Sequence, residues 1–153
     1  KFNSYEHDSL GLATESAEIT RENVKARMKK EQEIKKEASK FEMFRVYGNK
    51  DSKNIILSHG STKGAILDAL EDEKIDAKFI QVIYLEPFPE KLKIELERAE
   101  RVIAVENNWK ASLSGLVSQK TGFIIEDKNK ILKYDGRPFL SDELAKEIKE
   151  RLS

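Results

Sequence analysis

The sequence predicts a three-layer α/β/α sandwich, in which helices cover both faces of a mainly parallel sheet. Short apolar runs of the buried-strand type alternate with amphipathic segments at least four times after residue 42. Such alternation is typical of strand–helix–strand units, whose right-handed crossovers join parallel strands. We therefore expect an α/β domain over residues 43–153, preceded by a linker segment with a helix over residues 1–42.

The linker segment begins with "KFNSYEHDSLGLATES", which has no initiator Met and no apolar periodicity that could start a domain. We expect the chain to be cut from a longer polypeptide. Thr20 can cap a helix, and good helix formers continue to Lys40. The apolar stripe of this helix is too thin to anchor a core, so the helix is expected to bridge two bodies or to lie across one.

The first half of the predicted domain contains three strand candidates and one helix. "MFRVY" (43–47) is a short strand, and "IILSH" (Ile55–His59) is a buried one. Ser61 or Thr62 can cap a helix whose buried side carries alanine, isoleucine and leucine. "KFIQVIYL" (78–85) is the third strand candidate.

The second half repeats the same alternation. Pro89 suits the first position of a helix, and "RVIAVE" (101–106) is another buried strand. The next helix is expected to carry Trp109, and "KILKYDG" (130–136) supplies a last strand. Ser141, followed by two acidic residues, is expected to cap the final helix.

Composition narrows the function. The 28 Lys and Arg residues balance 28 Asp and Glu residues, so no field of one sign attracts nucleic acid or an anionic membrane. Cysteine is absent, which excludes disulfides, thiolate zinc sites and thiolate-bound iron–sulfur clusters within the chain. The two histidines form no metal-binding pattern, so no metal ligand is expected. No membrane span or signal-peptide pattern is present, which favours a cytoplasmic location.

One candidate binding loop follows the strand that ends at His59. In open parallel sheets, ligands bind beyond the carboxyl ends of the strands. The loop consists of Gly60, Ser61, Thr62, Lys63 and Gly64, which offer close backbone approach and several donors for an anion. The pattern matches neither phosphate fingerprint, GxGxxG or GxxxxGK[ST]. A plain strand-to-helix turn is therefore the favoured interpretation, with anion binding as the alternative.

Other polar and aromatic residues also have two interpretations. His59 could act as an acid or base, or it could bond a neighbouring carbonyl. Glu106 and Asn107 could orient a polar ligand or cap the next helix. Phe88, between two prolines, and Trp109 each suit a contact surface or a core.

Glu6 and Asp8 place two carboxylates around His7, a grouping that is useful in catalysis, although a solvated linker is the default interpretation. These residues make no complete catalytic set, so no catalytic residue is predicted.

The order of six segments resembles the C-terminal half of the alpha subunit of 2-oxoacid:ferredoxin oxidoreductases. The segments are "EHDSLGLATES", "NVKARMKK", "GSTKGAI", "YLEPFP", "VIAVENN" and "KYDGRPF". The resemblance implies a fold like the transketolase C-terminal domain. It also implies oxidative decarboxylation of a 2-oxoacid with thiamine diphosphate, transfer of the acyl group to coenzyme A and transfer of electrons to ferredoxin.

The resemblance further implies that this chain binds no cofactor itself. Thiamine diphosphate and the iron–sulfur cluster are expected on a partner subunit, and beta and gamma subunits, ferredoxin and coenzyme A are the expected partners. Self-association stays open. Glu6, His7 and Asp8, with Glu106 and Asn107, match family motifs and are expected to face the active-site cleft. After Asn107, however, the family's Gly-Gln is replaced by "NWKASLSGL".

Three hypotheses follow from the sequence. The first is a non-catalytic domain of an alpha subunit, inactive in isolation, which acts in assembly and shapes the active-site cleft. The second is an α/β module that binds an anion, such as a coenzyme A phosphate, at Gly60. The third is a free-standing scaffold protein. The identity of the 2-oxoacid cannot be predicted from these residues.

Overall fold

The computed structural model describes residues 4–153, which form two compact units. One unit ends at Phe41, and the other spans Glu42–Ser153. Residues 1–3 of the predicted linker lie outside the described residues. Each unit is built from its own secondary structure.

The first unit is a small hairpin followed by one long helix. Strands β1 (Glu6–His7) and β2 (Ala13–Thr14) pair antiparallel, and helix α1 follows at Ala17–Ala38. The expected start at Thr20 is wrong, because the hydroxyl of Ser16 accepts a hydrogen bond from the Ile19 N–H at 3.4 Å and caps the helix there. Val24, Met28 and Ile34, which form most of the thin stripe, are exposed.

The second unit contains a five-stranded sheet in the order β3-β5-β4-β6-β7. Strands β4 to β7 are mutually parallel, and β3 pairs antiparallel with β5 at one border of the sheet. The predicted mainly parallel sheet is thereby confirmed. The strands are β3 (Phe44–Gly48), β4 (Asn54–His59), β5 (Lys78–Val82), β6 (Arg101–Glu106) and β7 (Lys130–Leu132).

Helices cover both faces of this sheet. Short 3₁₀ turns occupy residues 60–62 and 127–129. The helices are α2 (Lys63–Asp72), α3 (Lys91–Glu97), α4 (Ser112–Thr121) and α5 (Ser141–Leu152). The predicted three-layer α/β/α arrangement is therefore present in the second unit.

The central strands bury both of their faces, because alternate side chains point to opposite sides of a sheet. In β4, Ile55 and Leu57 pack with α3 and α4, whereas Ile56 packs on the other side with α2 and α5. All three side chains are at most 1% exposed. Phe88 is also buried, on the side of the sheet covered by α3 and α4. The segment between the two prolines therefore fills the core and does not form an exposed contact surface.

Several predicted boundaries in the second unit are wrong for local reasons. The strand expected over 78–85 ends at Val82, because the N–H groups of Ile83 and Tyr84 both donate to the Met43 carbonyl. Pro89 precedes α3 by two residues instead of opening it. The side chains of Thr62 and Ser141 do not cap α2 and α5. At the start of α5, the Asp142 carboxylate accepts the Glu143 N–H at 2.8 Å instead.

Gly48 is a position at which only glycine fits. Its φ is +71°, in the left-handed region that side chains rarely adopt. A Cβ added there would lie 2.6 Å from the Ala77 backbone oxygen. The end of β3 can therefore approach the chain before β5 closely only with glycine.

Candidate functional site

The candidate loop and Glu106 lie at neighbouring positions on the carboxyl edge of the sheet. Their strands, β4 and β6, are adjacent and parallel. Ser58, the next-to-last residue of β4, donates a hydrogen bond from its buried hydroxyl to the Val105 carbonyl in β6 at 2.6 Å. The structure therefore brings two of the predicted groups together at one edge.

The loop at Gly60 is held together by its own side chains. Gly60 has φ +70° and leads into the 3₁₀ turn. The buried Thr62 hydroxyl bonds the Ser58 hydroxyl and also donates to the His59 carbonyl at 3.2 Å. Because the Ser58 hydrogen goes to Val105, the single hydrogen of the Thr62 hydroxyl is shared between the Ser58 hydroxyl and the His59 carbonyl. The Thr62 hydroxyl thus has no hydrogen left for a ligand.

Lys63 is also engaged within the domain. Its ammonium nitrogen lies 4.8 Å from the centre of the Tyr47 ring. Hydrogen bonding from Lys63, supplemented by Arg45, lowers the pKa of the Tyr47 phenol below its ordinary value of 10.0. Among the loop residues, Ser61 is exposed, and space beside Gly64 is open.

His59 is exposed at the end of β4. Its imidazole makes no hydrogen bond within residues 4–153, and the carbonyl acceptor proposed from the sequence is not found there.

Glu106 is buried, and its carboxylate binds the start of α4. One oxygen, Oε1, accepts from the Ser114 N–H at 3.0 Å and from the Ser114 hydroxyl at 2.7 Å. The other, Oε2, accepts from the Leu113 N–H at 2.8 Å and from Asn108 Nδ2 at 2.9 Å. A negative charge at a helix N-terminus is favourable, because the first N–H groups lack helical partners. Glu106 thus fastens α4 to β6.

The segment between Glu106 and α4 is a braced loop. The Asn107 side chain donates to the Arg137 carbonyl at 3.3 Å, and Asn108 Oδ1 accepts from the Ser112 N–H at 3.1 Å. Ala111 is buried and adopts a left-handed conformation with φ 51°. Trp109 was expected within the helix, but it lies in this loop with 66% of its surface exposed.

The third predicted group, Glu6 to Asp8, belongs to the first unit and forms a structured turn there. The Glu6 carboxylate receives two hydrogen bonds from Arg27, the shorter at 2.6 Å, and one from Asn23 at 3.0 Å. Arg27, with a smaller contribution from Asn23, lowers the pKa of Glu6 below its ordinary value of 4.5. Asp8 Oδ1 accepts the N–H groups of Leu10 and Leu12, both at 2.9 Å.

His7 is partly buried beside these groups. Its Nε2 is buried and has no hydrogen-bond partner among residues 4–153. The expected solvated linker is therefore a hairpin tied to α1. The Asn23 and Arg27 partners were missed because they lie 17 and 21 residues away from Glu6, beyond the reach of local patterns.

Within the described part of the chain, no three or more His, Asp or Glu side chains are arranged to hold a metal ion. None of the helices described for residues 4–153 is long and apolar enough to span a membrane.

Curated relatives match almost the whole chain. The 2-oxoacid:ferredoxin oxidoreductase subunit alpha of Saccharolobus solfataricus is 39% identical over 148 residues, which are 94% of this chain and 23% of that subunit. Subunit alpha of 2-oxoacid:ferredoxin oxidoreductase 2 of Aeropyrum pernix is 37% identical over 151 residues, or 96% of this chain and 23% of that subunit. The chain thus spans about a quarter of the length of these relatives. No protein-family model matches it.

A solved structure shares the fold. The 2-oxoglutarate:ferredoxin oxidoreductase of Magnetococcus marinus, with 2-oxoglutarate, coenzyme A and succinyl-CoA bound, aligns with a TM-score of 0.78. The alignment covers 99% of this chain and 26% of that one, at 21% sequence identity. At this identity the similarity concerns the fold alone.

Proposed function

This chain belongs to the alpha subunits of the 2-oxoacid:ferredoxin oxidoreductases, and on that premise we propose that it is a non-catalytic part of such an enzyme. The observation that carries the proposal is that polar side chains at the carboxyl edge of the sheet bind partners within the domain. Thr62, Lys63 and Glu106 all direct their side chains to internal partners. Such a set holds strands and helices in place and leaves little free chemistry for a reacting group.

The complete enzyme would oxidatively decarboxylate a 2-oxoacid, transfer the acyl group to coenzyme A and send electrons to ferredoxin. The designation of the relatives as alpha subunits implies a multi-subunit enzyme. Thiamine diphosphate and the iron–sulfur clusters would be bound by a partner beta subunit or its fused equivalent in a cytoplasmic complex. This division agrees with the composition, because a chain without cysteine has no thiolate with which to hold a cluster. The domain after Glu42 would correspond to a transketolase C-terminal-like fold.

The proposal is tested by replacing the matched quarter of the Saccharolobus alpha subunit with this chain and producing the chimera together with its partner subunit. We expect 2-oxoacid-dependent reduction of ferredoxin in the chimera. Deletion of the same quarter should abolish that activity. A well-folded, assembled chimera without any activity would contradict the proposal.

A second measurement tests the non-catalytic role directly. The chain alone is mixed with a 2-oxoacid, thiamine diphosphate, coenzyme A and an electron acceptor. We expect no turnover, since Glu106 and Thr62 are engaged in internal bonds. Turnover by the isolated chain would refute this role.

Anion binding at Gly60 is the second candidate function, and one observation favours it. No side chain caps the start of α2, and N–H groups at a helix start without a side-chain cap can bind a phosphate. Calorimetric titration with coenzyme A tests it, with Lys63→Ala as the loop variant. The exposed Lys91, at the start of α3, provides the matched control Lys91→Ala. Saturable binding that only the Lys63 variant loses would favour this candidate.

A further inference from the structure

The exposed apolar side chains of the second unit are concentrated at one edge of its sheet. Two large apolar side chains, Ile94 and Ile124, are exposed elsewhere among residues 42–153. The others follow the carboxyl ends of parallel strands, where the loops of β5, β6 and β7 emerge. They are Ile83, Leu85, Trp109, Tyr134 and Leu140.

Two loops at this edge form one continuous support for Trp109 and Tyr134. The strands before them, β6 and β7, are neighbours, and the Lys133 N–H donates to the Glu106 carbonyl at 3.0 Å. Farther along, the Asn107 side chain bonds the Arg137 carbonyl. Trp109 and Tyr134 are 66% and 72% exposed. We call the surface made by Trp109, Tyr134 and Leu140 the aromatic edge.

The loop that carries Trp109 is fixed before any partner arrives. Glu106 anchors one end with four hydrogen bonds, and Asn108 holds the start of α4. Ala111 keeps a left-handed backbone that a free loop would avoid. An exposed tryptophan on a rigid loop loses little entropy on burial, which is the property of an interface hot spot.

We propose that the aromatic edge docks against the rest of the same alpha subunit, with Trp109 inserted in an apolar pocket of that surface. This inference rests on the proposed function. The length of the relatives identifies the occupant: three quarters of each alpha subunit lies outside the matched segment and belongs to the same polypeptide. Lys110, whose ammonium lies 5.2 Å from the Trp109 ring, and the exposed Arg137 add positive charge beside the pocket. Asp135 and Asp142, which are exposed and closely follow Tyr134 and Leu140 in the chain, add negative charge. The receiving surface is therefore apolar at its centre and carries charges of both signs at its rim.

The test uses the Saccharolobus alpha subunit without the matched segment, bound to its partner subunit, and adds this chain in trans. The dissociation constant is measured for the wild type, for Trp109→Ala and for Ile124→Ala. Ile124 is the control because it is 73% exposed and lies outside the aromatic edge. We expect Trp109→Ala to weaken binding about thirty-fold, equivalent to roughly 2 kcal/mol, with Ile124→Ala unchanged. Thermal unfolding followed by circular dichroism verifies that both variants are folded.

A second readout needs no substitution. Trp109 is the single tryptophan of the chain, so 5-fluorotryptophan labelling gives one ¹⁹F resonance. We expect this resonance to shift and to lose its solvent isotope effect when the chain binds.

The outcomes separate the two proposals. If the wild-type chain does not bind, both the proposed function and this inference are refuted. If it binds and the Trp109 resonance and affinity are unaffected, only the docking inference is refuted. Burial of Trp109 by coenzyme A alone, or in a dimer of this chain seen by sedimentation, would also overturn the inference, because the occupant would then be a different one.

Discussion

Replacing Glu106 with alanine should be among the most damaging single changes in the second unit. The substitution leaves the Leu113 and Ser114 N–H groups without an acceptor, and Leu113 and Ser114 are only 2% and 4% exposed. A buried donor left unsatisfied costs about 1–3 kcal/mol. Two such donors, with the Ser114 hydroxyl in addition, give a loss of about 3 kcal/mol or more in the free energy of unfolding.

The Glu106→Gln variant gives a graded test of the same reasoning. One carboxylate oxygen becomes an amide nitrogen, yet each oxygen of Glu106 faces two donors. The amide therefore keeps one acceptor and places donors opposite donors at the other position. We expect the free energy of unfolding to fall by about 2 kcal/mol, which places Glu106→Gln between the wild type and the alanine variant.

Urea unfolding followed by far-ultraviolet circular dichroism measures these changes. For a unit of this size, a loss of about 3 kcal/mol lowers the midpoint of thermal unfolding by about 10 °C. The matched control is Glu126→Gln, because Glu126 is exposed and pairs with Lys128 at the surface; its loss should stay below about 1 kcal/mol. If Glu106→Ala cost no more than this control, the carboxylate would not anchor α4.

Three further predictions concern the backbone and pH. Gly48→Ala should lower the free energy of unfolding, measured in urea, by about 3 kcal/mol, because the new Cβ meets the Ala77 oxygen. The control Gly64→Ala, in open space within α2, should be neutral or stabilising. Equal effects of the two substitutions would contradict the steric argument. Lys74, at φ 48° after α2, closes the helix with the Ile75 N–H bonded to the Leu70 carbonyl at 3.0 Å. Lys74→Gly should raise the free energy of unfolding by about 0.5 kcal/mol, because glycine adopts a positive φ without strain. The control Glu71→Gly, inside the helix, should lower it by about 1 kcal/mol. A lower free energy of unfolding for Lys74→Gly would show that the positive φ of Lys74 is not strained. For the hairpin, the pKa of Glu6 is lowered by Arg27, so the stabilisation by this carboxylate is fully present above pH 4.5 and is lost as the pH falls through the lower folded value. The amide-exchange protection factors of β1 and β2, which are corrected for the intrinsic pH dependence of exchange, should therefore fall in acid for the wild type and stay level for Glu6→Gln. A parallel response of both proteins would refute the Glu6–Arg27 link.

Periodicity predicted the elements of the second unit well because burial on both faces leaves a strong signal. The apolar run "RVIAVE" matches β6 residue for residue, and the alternation of strands and helices predicted the parallel sheet. Helix starts were predicted less well. Ser141 has the right chemistry for a cap, but it is the first helical residue, and the side chain that accepts an N–H at that start belongs to Asp142.

The site depended on contacts that sequence spacing does not encode. Glu106 could be identified as a capping group, but its bonds to residues seven and eight positions later require the left-handed turn at Ala111. Alanine carries no signal for that conformation, for which glycine is the usual residue. The hairpin before α1 was missed for a related reason, since the attraction between Glu6 and Arg27 acts across 21 positions.

The position of β4 at the centre of the sheet also sets the order in which the domain can fold during synthesis. Its neighbours, β5 and β6, are both synthesised after it. The Ser58 hydroxyl can make its hydrogen bond only after the Val105 carbonyl, 47 residues downstream, has been synthesised. A nascent chain that has not yet emerged beyond Arg101 leaves one side of β4, with its three consecutive buried apolar residues Ile55–Leu57, without a neighbour. Until β6 is available, this open strand edge can pair with another chain, and such pairing leads to aggregation.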